Sequence, residues 1–284
     1  MNKEADVKAL NWHEQDLEQW LGFRGGKFTT VNSVLSFIAG TLLTVIAYAI
    51  LSLRFSETFI GKMFLQRGFT PYVMMFLFMW AFVIILIKIS KLRLQRRALE
   101  LKIVPTENSF VLSVMTVDQV FKQMYEQVDD PRKFLLFNRV HVALSNLRNL
   151  GRITDVDEML RTQGELDEST MDTSYSLIRG FIWAIPVLGF IGTVMGLSEA
   201  VGGFGSVLSQ TADPQALAQS LKLVTAGLST AFETTLVALL FALALQLIVT
   251  FLQKGEEELL DDCGEYCQSE IVGRLRIMPF EDED

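Results

Sequence analysis

The stretch from Arg179 to Ser198, RGFIWAIPVLGFIGTVMGLS, limits the fold most strongly, because 19 uncharged residues follow the arginine without a break. At about 1.5 Å per residue, a helix of this length approaches the thickness of about 30 Å of a bilayer's hydrocarbon core. Gly189, Gly192 and Gly196 are three or four positions apart, so they share a helix face that a second helix can approach closely. The stretch predicts a membrane helix that packs inside an assembly. The alternative is a tightly packed but inert bundle helix.

The hydrophobic residues of the chain, half of its 284 residues, are grouped in blocks. Four blocks contain about the 20 apolar residues that a membrane-spanning helix needs; they are 31–53, 68–87, 180–201 and 223–253. The fold class is therefore expected to be an all-α membrane protein with four transmembrane helices in a lipid bilayer. The net charge of -8 and the lack of a basic stripe argue against nucleic acid as a partner.

The segments between the blocks complete the predicted organisation. They are an N-terminal amphipathic segment (1–30), outer loops (54–67 and 202–222), a helical cytoplasmic domain (88–179), and a cytoplasmic helix with an acidic tail (254–284). A cluster of basic residues follows the second block and marks the cytoplasmic end of a membrane helix: Lys88, Lys91, Arg93, Arg96 and Arg97. Both termini are therefore expected in the cytoplasm.

The region 88–179 is expected to be helical throughout. Asp130-Pro131 is a favourable helix start, because proline suits the first helical position. Gly151 is a helix end signal, and Thr154 or Asp155 is expected to cap the helix that follows. No glycine-rich phosphate loop is found in this region, so any energy for an active process must come from elsewhere.

The fourth block carries a narrow sector of small or polar residues: Ala231, Thr235, Ala238, Ala242 and Gln246. Such a stripe faces protein or water in a membrane helix. Thr193 lies about 21 Å along its helix from Arg179, and Thr235 about 28 Å from Lys254, which places both hydroxyls in the outer half of the bilayer. The pair can coordinate a hydrated cation or relay a proton. Alternatively, each hydroxyl donates to the carbonyl four residues earlier in its own helix.

Glu233 is an acid inside the fourth block, and an acid in a membrane helix is a functional hypothesis by default. It lies about 160° around the helix from Thr235, and a wet vestibule is the alternative explanation for it. No block carries an acid near its centre. If protons cross here, the carrier acid belongs to another chain.

Two motifs connect the third and fourth blocks to a known family. IPVLGFIGTVMGL, Ile185–Leu197, resembles the Pro-x-x-Gly-x-x-Gly-Thr-Val-x-Gly signature of the MotA/TolQ/ExbB proton channel family. GLSTAFETTLVAL, Gly227–Leu239, is similar to its Gly-Ile-x-x-Ala-Leu-x-x-Thr pattern, with Thr235 at the family's threonine. The similarity covers about a third of the chain, around Tyr175–Leu275. Many relatives have three spans rather than four, and many carry Glu where this sequence has Thr230.

The resemblance implies a homo-pentamer around two copies of a single-span MotB/TolR/ExbD-like partner that supplies the proton-accepting Asp. It implies an ion pathway at Thr193 and Thr235, with Glu233 as a further candidate, in a bacterial inner membrane. The expected function is a subunit of an ion-driven motor or energiser, with the proton as the expected ion. A structural or adaptor scaffold of the same fold without ion flux is the alternative.

Other functions find less support in the sequence. A transporter with its own substrate site predicts broken helices or an internal repeat, and neither is found. The chain has only two histidines, His13 and His141, and no nucleophile–base set is visible, so an enzyme is not expected. Cys263 and Cys267 are interpreted as a structural thiol pair rather than as a metal or redox site. No cofactor is expected.

Overall fold

A computed structural model describes residues 10–23, 25–105, 111–150, 153–208 and 214–275. Over these residues the chain is helical, with two isolated β-bridges and no strand. The described α-helices, in chain order, are α1 (Trp12–Gln15), α2 (Leu17–Trp20), α3 (Ser33–Arg54), α4 (Phe59–Leu65), α5 (Thr70–Leu99), α6 (Val117–Gln127), α7 (Leu135–Leu150), α8 (Ile153–Thr173), α9 (Ser176–Leu208) and α10 (Pro214–Tyr266).

Four helical stretches are long and apolar enough to cross a membrane, and they contain the four predicted blocks almost completely; they are Ser33–Arg54, Thr70–Leu99, Asp155–Gly202 and Val224–Arg274. Large apolar side chains are exposed along α3, α9 and α10, and Leu53, Trp183 and Phe251 are exposed by 75% or more. Such surfaces are typical of helices that face lipid or another subunit. The prediction of an all-α fold with four long apolar helices is confirmed over the described residues.

The structure corrects the sequence analysis in the connecting segments. The predicted outer loop 54–67 contains helix α4, and the N-terminal segment forms two short helices, α1 and α2. Helix α8 begins at Ile153, so Thr154 and Asp155 lie inside the helix and neither is its N-cap. The described parts of the second predicted outer loop, 202–208 and 214–222, belong to helices α9 and α10. Gly151, residues 209–213 of that loop and the acidic tail lie outside the described residues.

The prediction that 88–179 is helical throughout was wrong between α5 and α6. The described part of this connection pairs with the C-terminal region instead of forming a helix. The amides of Ile103 and Val104 donate to the hydroxyl of Tyr266, at 3.3 and 3.4 Å, and the amide of Leu112 donates to the carbonyl of Arg274 at 3.0 Å. These long-range partners satisfy backbone groups that a helix would have satisfied locally.

The chain divides into two compact units, and the first comprises Met1–Asn32, Leu86–Tyr175 and Phe251–Asp284. Three segments that the sequence analysis treated separately therefore belong to one unit. Its buried core includes one apolar face of α7, with the residue just before the helix; these buried residues are Phe134, Leu135, Val140, Leu144 and Leu147.

The N-terminal segment is held in the first unit by Glu18, whose side chain is buried. Its carboxylate accepts hydrogen bonds from Lys91 Nζ and, at 2.6 Å, from the amide of Asn32. Lys91 also donates to the carbonyl of Thr30 at 2.7 Å. Asp16 lies beside them, 3.8 Å from Lys91 Nζ, and neither of its buried carboxylate oxygens has a hydrogen-bond partner among the described residues. Burial raises the pKa of Asp16, against the lowering effect of Lys91.

Two further ion pairs lie inside the first unit. Lys88 Nζ is 3.0 Å from the carboxylate of Glu256, and Arg139 Nε is 2.7 Å from that of Asp167. All four side chains are almost completely buried, and the Lys88 ammonium also lies 4.0 Å from the ring centre of Tyr175. Each buried charge needs its partner, because an unpaired charge in such surroundings is strongly unfavourable.

The second unit comprises Ser33–Ile85 and Ser176–Thr250, and thus almost all of the four apolar blocks. Helices α3 and α5 approach closely at Gly40, where an added Cβ would lie 2.7 Å from the Cα of Trp80. Aromatic rings fill the contact between α5 and α10, and the ring centres of Phe78 and Phe241 are 4.2 Å apart. Helix α5 also contacts α9, where the ring centres of Trp80 and Phe181 are 4.8 Å apart. These contacts bring together α5, α9 and α10, the three helices that carry the candidate site.

Candidate functional site

Helix α9 approaches helix α10 along its glycines. A Cβ added at Gly189 would lie 2.5 Å from the Cβ of Ala238, and one added at Gly196 would lie 3.0 Å from the carbonyl oxygen of Gly227. Carbon atoms in contact are normally about 3.5–4.0 Å apart, so a side chain at Gly189 would force the helices apart, and one at Gly196 would make an unusually tight contact. The small residues therefore determine how closely the two backbones can lie.

Three helices meet at Gly192. A Cβ added there would lie 2.7 Å from the hydroxyl oxygen of Thr234 on α10 and 3.1 Å from that of Thr70 on α5. Both threonines are almost completely buried, at 1% and 3% exposure. The sequence analysis missed both of them. Thr234 lies four residues before Ala238, so helical spacing places it on the small-residue face, and this signal could have found it.

The two threonines predicted to line an ion pathway both donate to carbonyls of α9. The hydroxyl of Thr235 crosses from α10 and donates to the carbonyl of Gly189 at 3.1 Å. The hydroxyl of Thr193 donates to the carbonyl of Phe190 at 2.6 Å, three residues back in its own helix. Gly189 and Phe190 are consecutive, so both hydroxyls bind within one turn of α9. Both side chains are partly exposed, so neither is sealed from a solvent or ion that reaches this turn.

The candidate acid Glu233 lies in a different cluster. Its carboxylate is 3.0 Å from Nη2 of Arg67, the residue just before the turn that leads into α5. The hydroxyl of Ser229 donates to it at 2.7 Å, and Nη1 of Arg67 donates to the hydroxyl of Thr230 at 2.6 Å. The structure thus joins Glu233 to Arg67, whereas Thr235 contacts α9. The sequence analysis did not identify Arg67, since nothing in its local sequence indicates a partner 166 residues away.

A cavity of about 810 Å³ lies beside this cluster. It is bounded by residues 66–70, by 192–200 of α9 and by 226–230 of α10, and its lining includes Arg67, Gly192, Gly196 and Thr230. A space of this size can hold several water molecules. The glycine face of α9 therefore has two functions, close packing against α10 and formation of a cavity wall.

Metal and thiol chemistry are not indicated at this site. Among the residues that the structure describes, no group of three or more His, Cys, Asp or Glu side chains is placed to hold a metal ion. Cys263 and Cys267 are free thiols buried in the first unit. The polar groups found here are hydroxyls, backbone carbonyls and the Arg67–Glu233 ion pair.

The chain was compared with family models, curated proteins and solved structures. Residues 133–264, a little under half of the chain, match the model of the MotA/TolQ/ExbB proton channel family. The matched region begins just before α7 and includes the whole described contact between α9 and α10. Neither a curated protein nor a solved structure matches the chain.

Proposed function

We propose that this chain, which carries a MotA/TolQ/ExbB proton channel family domain over residues 133–264, is a subunit of an ion-driven membrane motor or energiser. The observation that carries the proposal is the hydrogen bond from Thr235 on α10 to the carbonyl of Gly189 on α9. A threonine that only stabilises its own helix donates within that helix, as Thr44 does to Gly40 in α3. Thr235 instead donates across the contact between two spans, where Thr193 binds the next carbonyl.

The ion is proposed to pass along this turn of α9, coordinated or relayed by Thr193 and Thr235. No described acid lies near the middle of a span, so the acid that accepts the proton is proposed to belong to a single-span partner. Two copies of that partner inside a ring of five copies of this chain would place the acid against α9 and α10. The exposed apolar faces of these helices, including Val194 and Leu236, suit contact with other subunits and lipid.

The proposed location is a bacterial inner membrane, with both termini and the first compact unit in the cytoplasm. The basic residues at the end of α5 support this orientation, because positive charges near the end of a membrane helix favour the cytoplasmic side. Ion flow is then proposed to drive a rearrangement of the ring whose work is done elsewhere in the complex.

A scaffold of the same fold is a second candidate, and one observation favours it. The hydroxyl of Thr193 already has an acceptor in its own helix, at 2.6 Å, as in an ordinary membrane helix. A scaffold uses the contact between α9 and α10 only for packing. An ion pathway needs the hydroxyls of Thr193 and Thr235, whereas a scaffold needs only side chains of the same shape at these two positions.

The double change Thr193→Val and Thr235→Val distinguishes the two functions, because valine keeps the shape of threonine and lacks its hydroxyl. The full chain is co-expressed with the product of the adjacent gene, purified, examined by native mass spectrometry and reconstituted into vesicles for proton and sodium flux. We expect five copies with two of a small single-span protein, and a flux that the double change lowers at least tenfold.

The matched control is Thr41→Val with Thr44→Val, since both of these hydroxyls donate only within α3. This control should conduct as the unchanged chain does. Equal flux in both double variants, or a chain that purifies without a partner, would reject the ion pathway and favour the scaffold.

A further inference from the structure

Arg67 reaches α10 because the chain turns sharply after it. Gly68 has φ of +80°, a backbone conformation that favours glycine, and α5 begins two residues later at Thr70. The Arg67 guanidinium then binds two side chains of α10. Nη1 donates to Thr230 at 2.6 Å, and Nη2 lies 3.2 and 3.0 Å from the two carboxylate oxygens of Glu233.

The carboxylate of Glu233 has a second donor within α10. Ser229, one turn earlier, donates its hydroxyl to the same oxygen that accepts from Arg67, at 2.7 Å. Thr230 donates in turn to the carbonyl of Ala226 at 3.0 Å. One helical turn of α10 thus supplies an acid and two hydroxyls that are joined to a single guanidinium.

The charges of this cluster are balanced and largely shielded. The side chain of Glu233 is 13% exposed and that of Arg67 is 25% exposed. Removal of one partner leaves the other charge unpaired in poorly solvated surroundings, whereas removal of both partners leaves no unpaired charge. The guanidinium donates one charge-assisted hydrogen bond to the carboxylate, at 3.2 Å, and lies 3.0 Å from its second oxygen as an ion pair. Such a bond is stronger than one between neutral groups.

We propose that Arg67 is a positioning residue: it holds Glu233 as a paired carboxylate, ties the 66–70 turn to α10, and keeps Glu233 out of the ion pathway. The proposal rests on the proposed function for the pathway itself. An ion-carrying acid must exchange its ion during each cycle, and an acid held by a guanidinium and a hydroxyl is poorly suited to that exchange. Thr235 contacts α9, whereas Glu233 contacts the turn before α5.

This role also concerns the cavity, because Arg67 and Thr230 both line it. An unpaired guanidinium there would repel an approaching cation, while the paired cluster is neutral overall. The pair therefore adds no net charge to the wall beside Gly192 and Gly196, where Glu199 is the other charged lining residue. On the proposed function, the hydroxyls of Thr193 and Thr235 remain the groups that contact the ion. The position of Glu233 inside a span suggested that it is an ion ligand. In this proposal it is instead the counterion of Arg67.

The test is a double-mutant cycle on the full chain with Arg67→Gln, Glu233→Gln and both changes together. SDS-induced unfolding in detergent micelles measures the ratio of folded to unfolded chain, which does not depend on ion flow. We expect each single change to lower that ratio at least tenfold and the double change to return it to within threefold of the unchanged chain. Lys62→Gln with Glu57→Gln is the matched control, since that pair is 3.3 Å apart but exposed, and its cycle should show little coupling.

Flux through the vesicle-reconstituted complex is the second measurement. The double variant should conduct at more than a third of the unchanged rate, because a positioning pair can be replaced by a neutral pair. Additive losses of stability would overturn the pairing. A stable double variant with less than a tenth of the unchanged flux would show that Glu233 carries the ion. That result would overturn the proposal that Glu233 lies outside the ion pathway. Absence of flux in the unchanged complex would count against the proposed function alone, and the stability cycle would still decide the pairing.

Discussion

Replacement of Gly189 by alanine is the most direct test of the contact between α9 and α10. The added Cβ would lie 2.5 Å from that of Ala238, about 1 Å closer than carbon atoms normally approach. Neither atom can rotate away, because each is attached directly to the backbone of its helix. Overpacking of this kind costs about 1–3 kcal/mol. Alanine also favours a helix over glycine by about 0.5–1 kcal/mol, which offsets part of that loss.

The matched control is Gly180→Ala in the same helix, where an added Cβ meets nothing within 4 Å. It keeps the gain in helix stability and lacks the clash. The difference between the two variants should therefore be the overpacking term alone, about 1–3 kcal/mol. SDS-induced unfolding of the full chain in detergent measures both free energies of unfolding under the same conditions.

A compensating change separates a local clash from a general effect. Ala238→Gly removes the opposing Cβ, and in the double variant the helix preferences of glycine and alanine cancel between the two positions. We expect the double variant to unfold within about 0.5 kcal/mol of the unchanged chain, since contacting residues are coupled. The reasoning would be refuted if Gly189→Ala were as stable as Gly180→Ala, or if Ala238→Gly failed to restore stability.

Two further predictions concern the first compact unit. Arg139→Met should lower the free energy of unfolding by about 3–5 kcal/mol, because it leaves Asp167 buried without its charged partner. The double change Arg139→Met with Asp167→Leu should lower it much less, because no charge is then left unpaired. Chemical unfolding of the unchanged chain and both variants measures these free energies. Asp16→Asn should stabilise the chain at neutral pH. The folded-state pKa of Asp16 is raised, so the folded chain holds its proton more tightly and wild-type stability falls as pH rises above the ordinary value of 3.8. The thermal unfolding midpoint of Asp16→Asn should therefore exceed that of the unchanged chain by more at pH 7 than at pH 4. A difference that stays constant or has the opposite sign would contradict the raised pKa of Asp16.

The apolar helices and their close packing were largely predictable from the sequence. A helix must satisfy its own backbone in a bilayer, so an apolar run of about 20 residues determines a span with little help from the rest of the chain. Spacing of three and four residues likewise places Gly189, Gly192 and Gly196 on one face. These are local properties of one helix, and the structure positions all three glycines against α10.

The partners of the polar residues could not be predicted in the same way. Arg67 and Glu233 are 166 residues apart, and Lys88 and Glu256 are 168 apart. Neither pair produces a periodic pattern, because a pairing between distant segments depends on the fold that brings them together. The hydroxyl of Thr235 shows the same limit: the sequence places it on a polar stripe, and only the arrangement of α9 and α10 identifies the Gly189 carbonyl as its acceptor.

The basic cluster at the end of α5 connects these two kinds of information. In the sequence it is a single signal of membrane orientation, but in the structure Lys88 and Lys91 are buried and paired with acids, while Arg93 and Arg97 are exposed. The two observations are compatible on the proposed topology, because orientation is set while a helix inserts, and lysine and arginine near its end favour the cytoplasmic side. Glu256 and Glu18 can pair with the lysines only after the first unit has folded. The same positive charges can therefore direct insertion first and later hold the N-terminal segment and helix α10 to the end of α5.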